Sequence, residues 1–400
     1  MKKQVFLFLI LSGLLLTGCG GNNGGGNSGK GNEGGVEDLG TKDFHTDLMK
    51  EYLADTWDSI LTYVPQVTAD KGTATGTNLG DVSQPKAIKL EFDEVADADS
   101  YYVQIAKNAE FTDAKEVEVT NKYYDFYNSE LGQEYYFRAA VSEDALAQAK
   151  VRKFKVNDAA PRNIHVDGVI NFRDVGGWSS SLVSGAKVKQ GLYYRCAQFD
   201  DQYNKSKINI TAEGKKAIEE LGIKLDIDMR DSNNVPSTSP AKSDDWNVDI
   251  LKASVASGTE NTRWEGGSSS DRKIAATYKD IFEHIAVANE NPIALHCTHG
   301  ADRTGIVSWF LLGLLGVSKE DCARDYVITR FAGERSVLPV DSAKGDSEIA
   351  KWNSKTEALQ GATWAEKTYN HLHNDFNIEI DTLETIRELF IPGYTRPAVA

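Results

Sequence analysis

The chain has 400 residues and a formal net charge of −15. That length is enough for two or three domains with cores of their own. The acidic balance argues against nucleic acid and anionic membrane surfaces as partners, because both bind through a basic face. It leaves room for a small basic pocket within an acidic protein.

Residues 1–18 are typical of an export signal. Lys2 and Lys3 precede an apolar run at 5–16, which is too short for a typical membrane-spanning helix. The run ends in LTGC, which resembles a bacterial lipobox. That resemblance implies cleavage before Cys19, a lipid on its sulfur and an extracytoplasmic, membrane-anchored protein. An ordinary secretory signal that ends near a cysteine is the alternative.

The next two segments carry no chemistry of their own. Residues 19–42 are rich in Gly and Asn, cannot bury a core and predict a flexible tether. Residues 43–82 predict a packing helix followed by a loop. Apolar side chains recur there at spacings of three and four between Phe44 and Val64, and KGTATGTNLGDVSQP comes after them.

Residues 83–158 alternate between apolar and polar side chains in short runs that turn residues separate at regular spacing. This pattern predicts a small all-β sandwich. The pieces LEFDEVADADSYYVQIAKNAEF and LGQEYYFRAAV resemble a fibronectin type III module, although Phe92 stands where that family usually has a tryptophan. Such modules are usually spacers or binding surfaces.

Residues 160–396 have an α/β rhythm. Apolar strands such as IKLDIDMR and PIALHC alternate with helical stretches at 211–221, 273–289, 303–315, 319–330 and 381–390. The pattern predicts a mostly parallel sheet with helices on its faces.

The most informative stretch is HCTHGADRTG, residues 296–305, which links a predicted strand to a predicted helix. A turn of this kind aims several backbone N–H groups at one point, and the helix N-terminus adds partial positive charge. Arg303, six residues after Cys297, can fold back to give two phosphate oxygens a bidentate donor. The same field lowers the pKa of Cys297 and makes it a thiolate nucleophile. A buried structural cysteine and a rhodanese-type sulfur-transfer loop are the alternatives, and DRTG fits the second poorly.

This segment resembles a bacterial tyrosine-phosphatase family whose loop reads HCxxGKDRTG. INFRDVGGW, KQGLYYRCAQ, LGIKLDIDMRD, LGVSKEDCARDYVIT and IDTLETIRELF add to the resemblance. It implies phosphomonoester hydrolysis through a phosphocysteine, with phosphotyrosine and sometimes phosphoserine, phosphothreonine or phosphoinositides as substrate. It implies no metal and no other cofactor.

The resemblance also assigns roles residue by residue. Cys297 matches the nucleophile, Arg303 the phosphate clamp and Thr304 the hydroxyl that faces the leaving thiolate. Asp302 matches the loop aspartate, a candidate general acid, with Asp231 and Asp174 as rivals. The residues that we expect around the substrate phosphate are His296, Thr298, His299, Gly300, Ala301, Asp174 and Arg173. The ring of His296 can also bond loop carbonyls and hold the cysteine in place.

Two departures leave alternatives open. Ala301 stands where the family has a lysine that helps to bind inositol lipids, which makes a phosphoinositide phosphatase the second enzymatic reading. Cys196 replaces the usual serine, and near Cys297 it could form a protective disulfide. A surface lipoprotein that traps phosphorylated ligands without hydrolysis is the non-enzymatic alternative, and the presence of both Cys297 and Arg303 argues against it.

Overall fold

The computed structural model describes residues 35–54, 84–200, 209–230, 248–255, 269–329, 332, 352 and 355–397. From Val36 onward the chain forms one compact unit. The lipidation candidate Cys19 and the acid candidate Asp231 lie outside the described residues. In the described residues an all-β part comes first and an α/β part follows.

The all-β part consists of two sheets that enclose one core. Its strands are β1 (Glu37–Lys42), β2 (Ile88–Glu91), β3 (Tyr101–Ala106), β4 (Lys115–Val119), β5 (Tyr123–Phe126), β6 (Glu134–Ala140) and β7 (Arg152–Val156). One sheet has the order β1-β7-β6-β3-β4, and the other pairs β2 with β5. Phe126, Phe137 and Phe154 lie in the core between them. Inward-facing residues alternate with outward-facing ones along β2 and β7, as a sandwich requires. A fibronectin type III identity stays a prediction from the sequence.

The α/β part is built on a mixed sheet that is mostly parallel, as the sequence predicts. Its strands are β8 (Arg162–Asn163), β9 (Arg173–Asp174), β10 (Tyr193–Cys196), β11 (Leu225–Asp228), β12 (Asp249–Lys252) and β13 (Ile293–His296). The order is β12-β11-β13-β10-β9-β8. The first four strands of that order run parallel, and β9 and β8 continue antiparallel. Every residue of β10, β11 and β13 is buried, which is typical of strands covered on both faces.

Helices cover both faces of this sheet. They are α1 (Asp47–Ala54), α2 (Ala212–Glu220), α3 (Ser269–Ile285), α4 (Asp302–Leu314), α5 (Lys319–Ile328), α6 (Trp364–Asn374) and α7 (Ile380–Phe390). Ile218 of α2 packs on one face, and α3 to α7 pack on the other. Beyond its first residue α4 is buried all round, which makes it the central helix of that layer. In the described part of the chain, none of these helices is both long and apolar enough to cross a membrane.

The segment at 37–54 differs from the sequence prediction. Residues 37–42, placed in the tether, form β1 and pair in parallel with β7. The predicted helix is present at Asp47–Ala54, and its continuation lies outside the described residues. Met49 and Tyr52 of α1 pack into the core of the α/β part, and the Tyr52 hydroxyl donates to the Arg324 carbonyl at 3.0 Å. The backbone pairing of β1 and the side-chain packing of α1, which composition does not reveal, therefore tie this segment to both parts of the protein.

A buried ion pair lies at the joint between the two parts. Arg162 donates to Asp174 Oδ2 at 2.9 Å and to the carbonyls of Asn128 and Ser129, which follow β5. Asp174 is fully buried and also accepts the amides of Gly176 and Gly191 at 2.7 and 2.6 Å. One carboxylate thus holds two turns of the α/β part and the arginine that reaches the sandwich.

We expect Asp174→Asn to lower the free energy of unfolding by about 3–5 kcal/mol, because it leaves the buried Arg162 unpaired. Asp158→Asn is the matched control, since Asp158 forms an exposed pair with Lys187 and should cost about 0–1 kcal/mol. Urea unfolding of both variants measures the difference. Equal losses would show that Asp174 is not the anchor described above.

Candidate active site

The loop 297–301 links the end of β13 to the start of α4, at the edge where the parallel strands β10, β11 and β13 end together. Ligand sites of open α/β sheets lie at this edge. The sequence prediction of a strand, a short loop and a helix N-terminus is therefore confirmed for this stretch.

Gly300 is required by both its conformation and its surroundings. Its φ is +65°, and a Cβ built on it would lie 2.1 Å from the Cys196 carbonyl oxygen. The loop therefore passes directly against the end of β10. Only glycine fits a backbone that is both left-handed and this closely approached.

Five consecutive carbonyls, those of residues 297–301, accept hydrogen bonds from groups around the loop. The donors are His296 Nδ1 to Cys297 O at 3.0 Å, Gln198 N to Thr298 O at 3.2 Å, Asn171 Nδ2 to His299 O at 2.9 Å and to Gly300 O at 3.2 Å, and Arg195 Nη2 to Gly300 O at 2.8 Å and to Ala301 O at 3.3 Å. In a trans peptide the carbonyl and the following N–H point in opposite directions. The amides of residues 298–302 are therefore directed to the inner side of the loop, which makes that concave side suited to an anion.

Cys297 lies at the base of this concave site and is 3% exposed. Burial raises the pKa of its thiol. The charge of Arg303, the Thr304 hydroxyl and the amides of Thr304 and His299 outweigh that effect, so the net pKa lies below the ordinary value. The buried Thr304 hydroxyl has no other hydrogen-bond partner within the described residues. These contacts favour a thiolate.

Arg303 is held in place by main chain on the neighbouring strands. Its Nη1 donates to Met229 O at 3.2 Å and to Val255 O at 3.0 Å, just beyond β11 and β12. Its Nη2 donates to Thr298 Oγ1 at 3.2 Å. The guanidinium thus folds back over the loop, close enough to Cys297 to lower the pKa of the thiol. A planar donor in this position suits two oxygens of a bound phosphate.

Asp302 is the first residue of α4 and is partly exposed. Its Oδ1 accepts the Tyr326 hydroxyl at 2.7 Å. The carboxyl therefore lies beside the loop with its orientation restrained by α5.

His296 supports the loop from the side of β11. Its Nε2 lies 3.1 Å from Asp226 Oδ1, and its Nδ1 lies 3.9 Å from Asp228 Oδ1 while donating to the Cys297 carbonyl. Burial lowers the pKa of the imidazole, but Asp226 and Asp228 more than compensate and raise it to about 9. A positively charged His296 donates from both nitrogens and holds the cysteine peptide, as the sequence suggests.

The structure places two of the expected substrate-binding residues elsewhere. Arg173 is 1% exposed, and its guanidinium donates to Asp325, Asn171 and Thr329. Asp174 lies in the buried joint with Arg162. The prediction that these two contact substrate, and with it Asp174 as general acid, is therefore wrong, because their polar atoms are already engaged within the protein.

Cys196 and Cys297 lie on opposite faces of the sheet. Cys196 is in register with His296, so the next residue, Cys297, faces the other way. Cys196 accordingly packs in the core beside α2, and Cys297 packs in the core beside α4. Both are free thiols, and this arrangement argues against the protective disulfide.

The sequence reading missed the groups that hold the loop from below. The sequence analysis assigns no such role to Asn171, Arg195 or Asp325. The available indication was the polar run around NFRD beside a strand end. Within the described residues, no group of three His, Cys, Asp or Glu side chains is close enough to hold a metal ion.

The loop and the sheet together define a cysteine-centred anion site on an α/β scaffold. The model of the tyrosine phosphatase family matches residues 164–391, and the chain belongs to that family. A curated tyrosine-protein phosphatase from Nostoc commune is 29% identical over 138 residues, which cover 30% of this chain and 45% of that protein. The chain thus matches less than half the length of that relative.

Two solved structures of P. aeruginosa TpbA are also similar. A variant in complex with pTyr has a TM-score of 0.27 at 13% identity, covering 45% of this chain and 96% of that chain. TpbA itself has a TM-score of 0.27 at 15% identity, covering 44% and 92%.

We expect Gly300→Ala to destabilise the protein by about 1–3 kcal/mol more than Gly185→Ala. Both glycines have φ near +70°, but a Cβ at Gly185 meets nothing within 4 Å. The control therefore isolates the collision with Cys196 from the cost of the backbone conformation. Urea unfolding measures stability, and tungstate titration measures the anion site. A loop that tolerates alanine at both positions would contradict the close approach.

Proposed function

We propose that this chain hydrolyses phosphomonoesters, with phosphotyrosine as the preferred class, through a covalent phosphocysteine. The observation that supports this most strongly is the outward bonding of the five loop carbonyls. It leaves the amides of residues 298–302 around a point above the Cys297 sulfur. Preorganised donors of this kind stabilise the charge of a transferring phosphoryl group.

In the first step the Cys297 thiolate attacks phosphorus in line with the ester oxygen. The S–P bond forms as the P–O bond breaks. The loop amides and Arg303 hold the equatorial oxygens, and Asp302 gives its proton to the departing oxygen, so an alcohol or a phenol leaves. Asp302 supports this role by its position, since it is the first residue of α4 and directly follows the loop.

In the second step water attacks the phosphocysteine and Asp302, now ionised, accepts a proton from it. The P–O bond forms, the S–P bond breaks, and inorganic phosphate and the thiolate are released. The Thr304 hydroxyl, which is directed at Cys297, stabilises the departing sulfur. Asp302 thereby serves as acid and then as base in one cycle.

The phosphotyrosine preference is supported by family membership and by the name of the Nostoc relative. The side chain before Asp302 is the buried Ala301, 3% exposed. It brings no cation to the mouth of the site for the further phosphates of an inositol lipid. Comparing a phosphotyrosine peptide with an inositol phospholipid as substrates separates these classes.

We expect Cys297→Ser to reduce hydrolysis of para-nitrophenyl phosphate by about 1000-fold or more, because the alcohol is not ionised in this site. Cys322→Ser is the matched control, since Cys322 is a buried residue of α5 whose thiol contacts the Val317 carbonyl. Steady-state kinetics measure both. A Cys297→Ser variant as active as wild type would eliminate the phosphocysteine route. A wild-type protein that binds tungstate without hydrolysis would support the ligand trap.

We expect Asp302→Asn to slow phenyl phosphate hydrolysis by about 100-fold or more, and para-nitrophenyl phosphate much less, because only the poorer leaving group needs the proton. Asp321→Asn is the control: Asp321 lies in the first turn of α5 as Asp302 does in α4. The control therefore carries the same helix-terminus charge effect. Equal slowing with both esters would transfer the assignment to Asp231.

The cellular location stays a proposal from the sequence. Residues 1–34, which contain the lipobox-like LTGC and Cys19, lie outside the described residues. A lipid on Cys19 would place the phosphatase on the extracytoplasmic face of the membrane. The substrates would then be phosphorylated molecules outside the cytoplasm.

A further inference from the structure

A cluster of four buried polar side chains lies directly beneath the loop: Asn171, Arg173, Arg195 and Asp325, here called the Asp325 network. Each is 1% exposed or less. Asp325 Oδ1 accepts Arg173 Nε at 2.8 Å, and Asp325 Oδ2 accepts Arg195 Nη1 at 2.5 Å. Burial raises the pKa of Asp325, but the two arginines outweigh it and keep the net pKa below the usual range.

Burying three charged groups is costly, and packed apolar side chains often serve stability as well or better. The network contains two arginines and one aspartate, so it also keeps one more positive than negative charge. Stability alone is therefore a weak explanation for its presence. The contacts of the N–H groups that do not bond Asp325 offer a better explanation.

The remaining N–H groups of Arg195 and Asn171 donate to the main chain of the loop. Arg195 Nη2 donates to Gly300 O at 2.8 Å and to Ala301 O at 3.3 Å. Asn171 Nδ2 donates to His299 O at 2.9 Å and to Gly300 O at 3.2 Å, while its own Oδ1 accepts Arg173 Nη1. The network thus accounts for three of the five outward-bonded carbonyls.

We propose that the Asp325 network is a positioning device for the anion site. It fixes the peptide planes that follow His299, Gly300 and Ala301, and so aims the amides of residues 300–302 at the phosphate. The members are positioning residues, because their polar contacts are with the loop main chain, with one another and with the Thr329 hydroxyl. The proposal rests on the function proposed above, since it names what orients the same site.

Loss of the network should have a specific consequence. If the three carbonyls are released, their peptide planes can rotate and the amides turn away from the anion. The site then holds phosphate less well, and the Cys297 thiolate loses stabilisation, so the pKa of Cys297 rises. A role in core stability alone would lower the melting temperature without changing either property.

The test compares Asn171→Gly with Asn128→Gly. Asn171 and Asn128 have φ values of +60° and +62°, which glycine adopts without strain. Asn128→Gly loses two side-chain hydrogen bonds, both with His165 at the joint. Asn171→Gly loses four, two of them to the loop carbonyls and the others with Thr329 and Arg173. Neither change alters net charge. The variants are therefore matched in backbone conformation and in charge, and they differ in whether the lost hydrogen bonds reach the loop.

The readouts are alkylation of Cys297 by iodoacetamide across pH, its protection by tungstate, and kcat and KM for para-nitrophenyl phosphate. We expect Asn171→Gly to raise the pH midpoint of Cys297 alkylation, weaken tungstate protection, and lower kcat/KM by about 10- to 100-fold. Asn128→Gly should lower the melting temperature alone. Identical alkylation, protection and kcat/KM in the two variants would overturn the proposal.

Asp325→Asn, with Asp321→Asn as control, gives a second test with an opposed sign. Removing a negative charge would by electrostatics alone lower the pKa of Cys297, whereas loss of loop positioning raises it. A raised midpoint supports the proposal, and a lowered one contradicts it. Alkylation and tungstate protection need no turnover. A wild-type protein whose Cys297 is alkylated and is protected by tungstate, but which hydrolyses no phosphomonoester, would therefore refute the proposed function. The positioning role of the Asp325 network could still be tested with these two measurements.

Discussion

The candidate site depends on the planarity of the peptide bond in one short loop. Because each carbonyl and the next amide point in opposite directions, bonding five carbonyls from outside turns five amides inward. Hydrogen bonds on the outer side of the loop therefore shape the proposed anion site on its inner side. Neither Cys297 nor Arg303 would have its proposed chemistry if residues 297–301 presented their carbonyls to the sulfur.

Two buried charge clusters meet this requirement from opposite sides. His296, held between Asp226 and Asp228, bonds the first carbonyl of the loop. The Asp325 network bonds the last three. The polar residues within the buried strands β10, β11 and β13 thus share one role, which is to hold the carbonyls of the loop. Covered strands ordinarily avoid such residues, and here their cost is offset by the preorganisation of a site.

The part of the protein outside the loop sets the position of these clusters. Arg162 and Asp174 fix the turn that leads out of β9 and the turn that leads into β10, the strands that carry Arg173 and Arg195. The same ion pair joins the sandwich to the α/β part, and α1 packs on the same core as α4. The sandwich is therefore continuous with the catalytic scaffold through buried contacts. A separate module on a free linker would lack such contacts.

The sequence by itself determined the order of an all-β part before an α/β part, the strand–loop–helix around Cys297, and the position of Asp302 and Arg303 directly after that loop. These follow from local periodicity and spacing, which a chain carries within a few residues. Only the tertiary structure decided that Arg173 and Asp174 are engaged elsewhere, that Cys196 faces away from Cys297, and that Asn171 and Asp325 support the loop. Those facts depend on strand register and on contacts between residues as far as 128 and 152 positions apart. No local pattern specifies which partner a buried charge will find, because that choice is made when distant segments pack together.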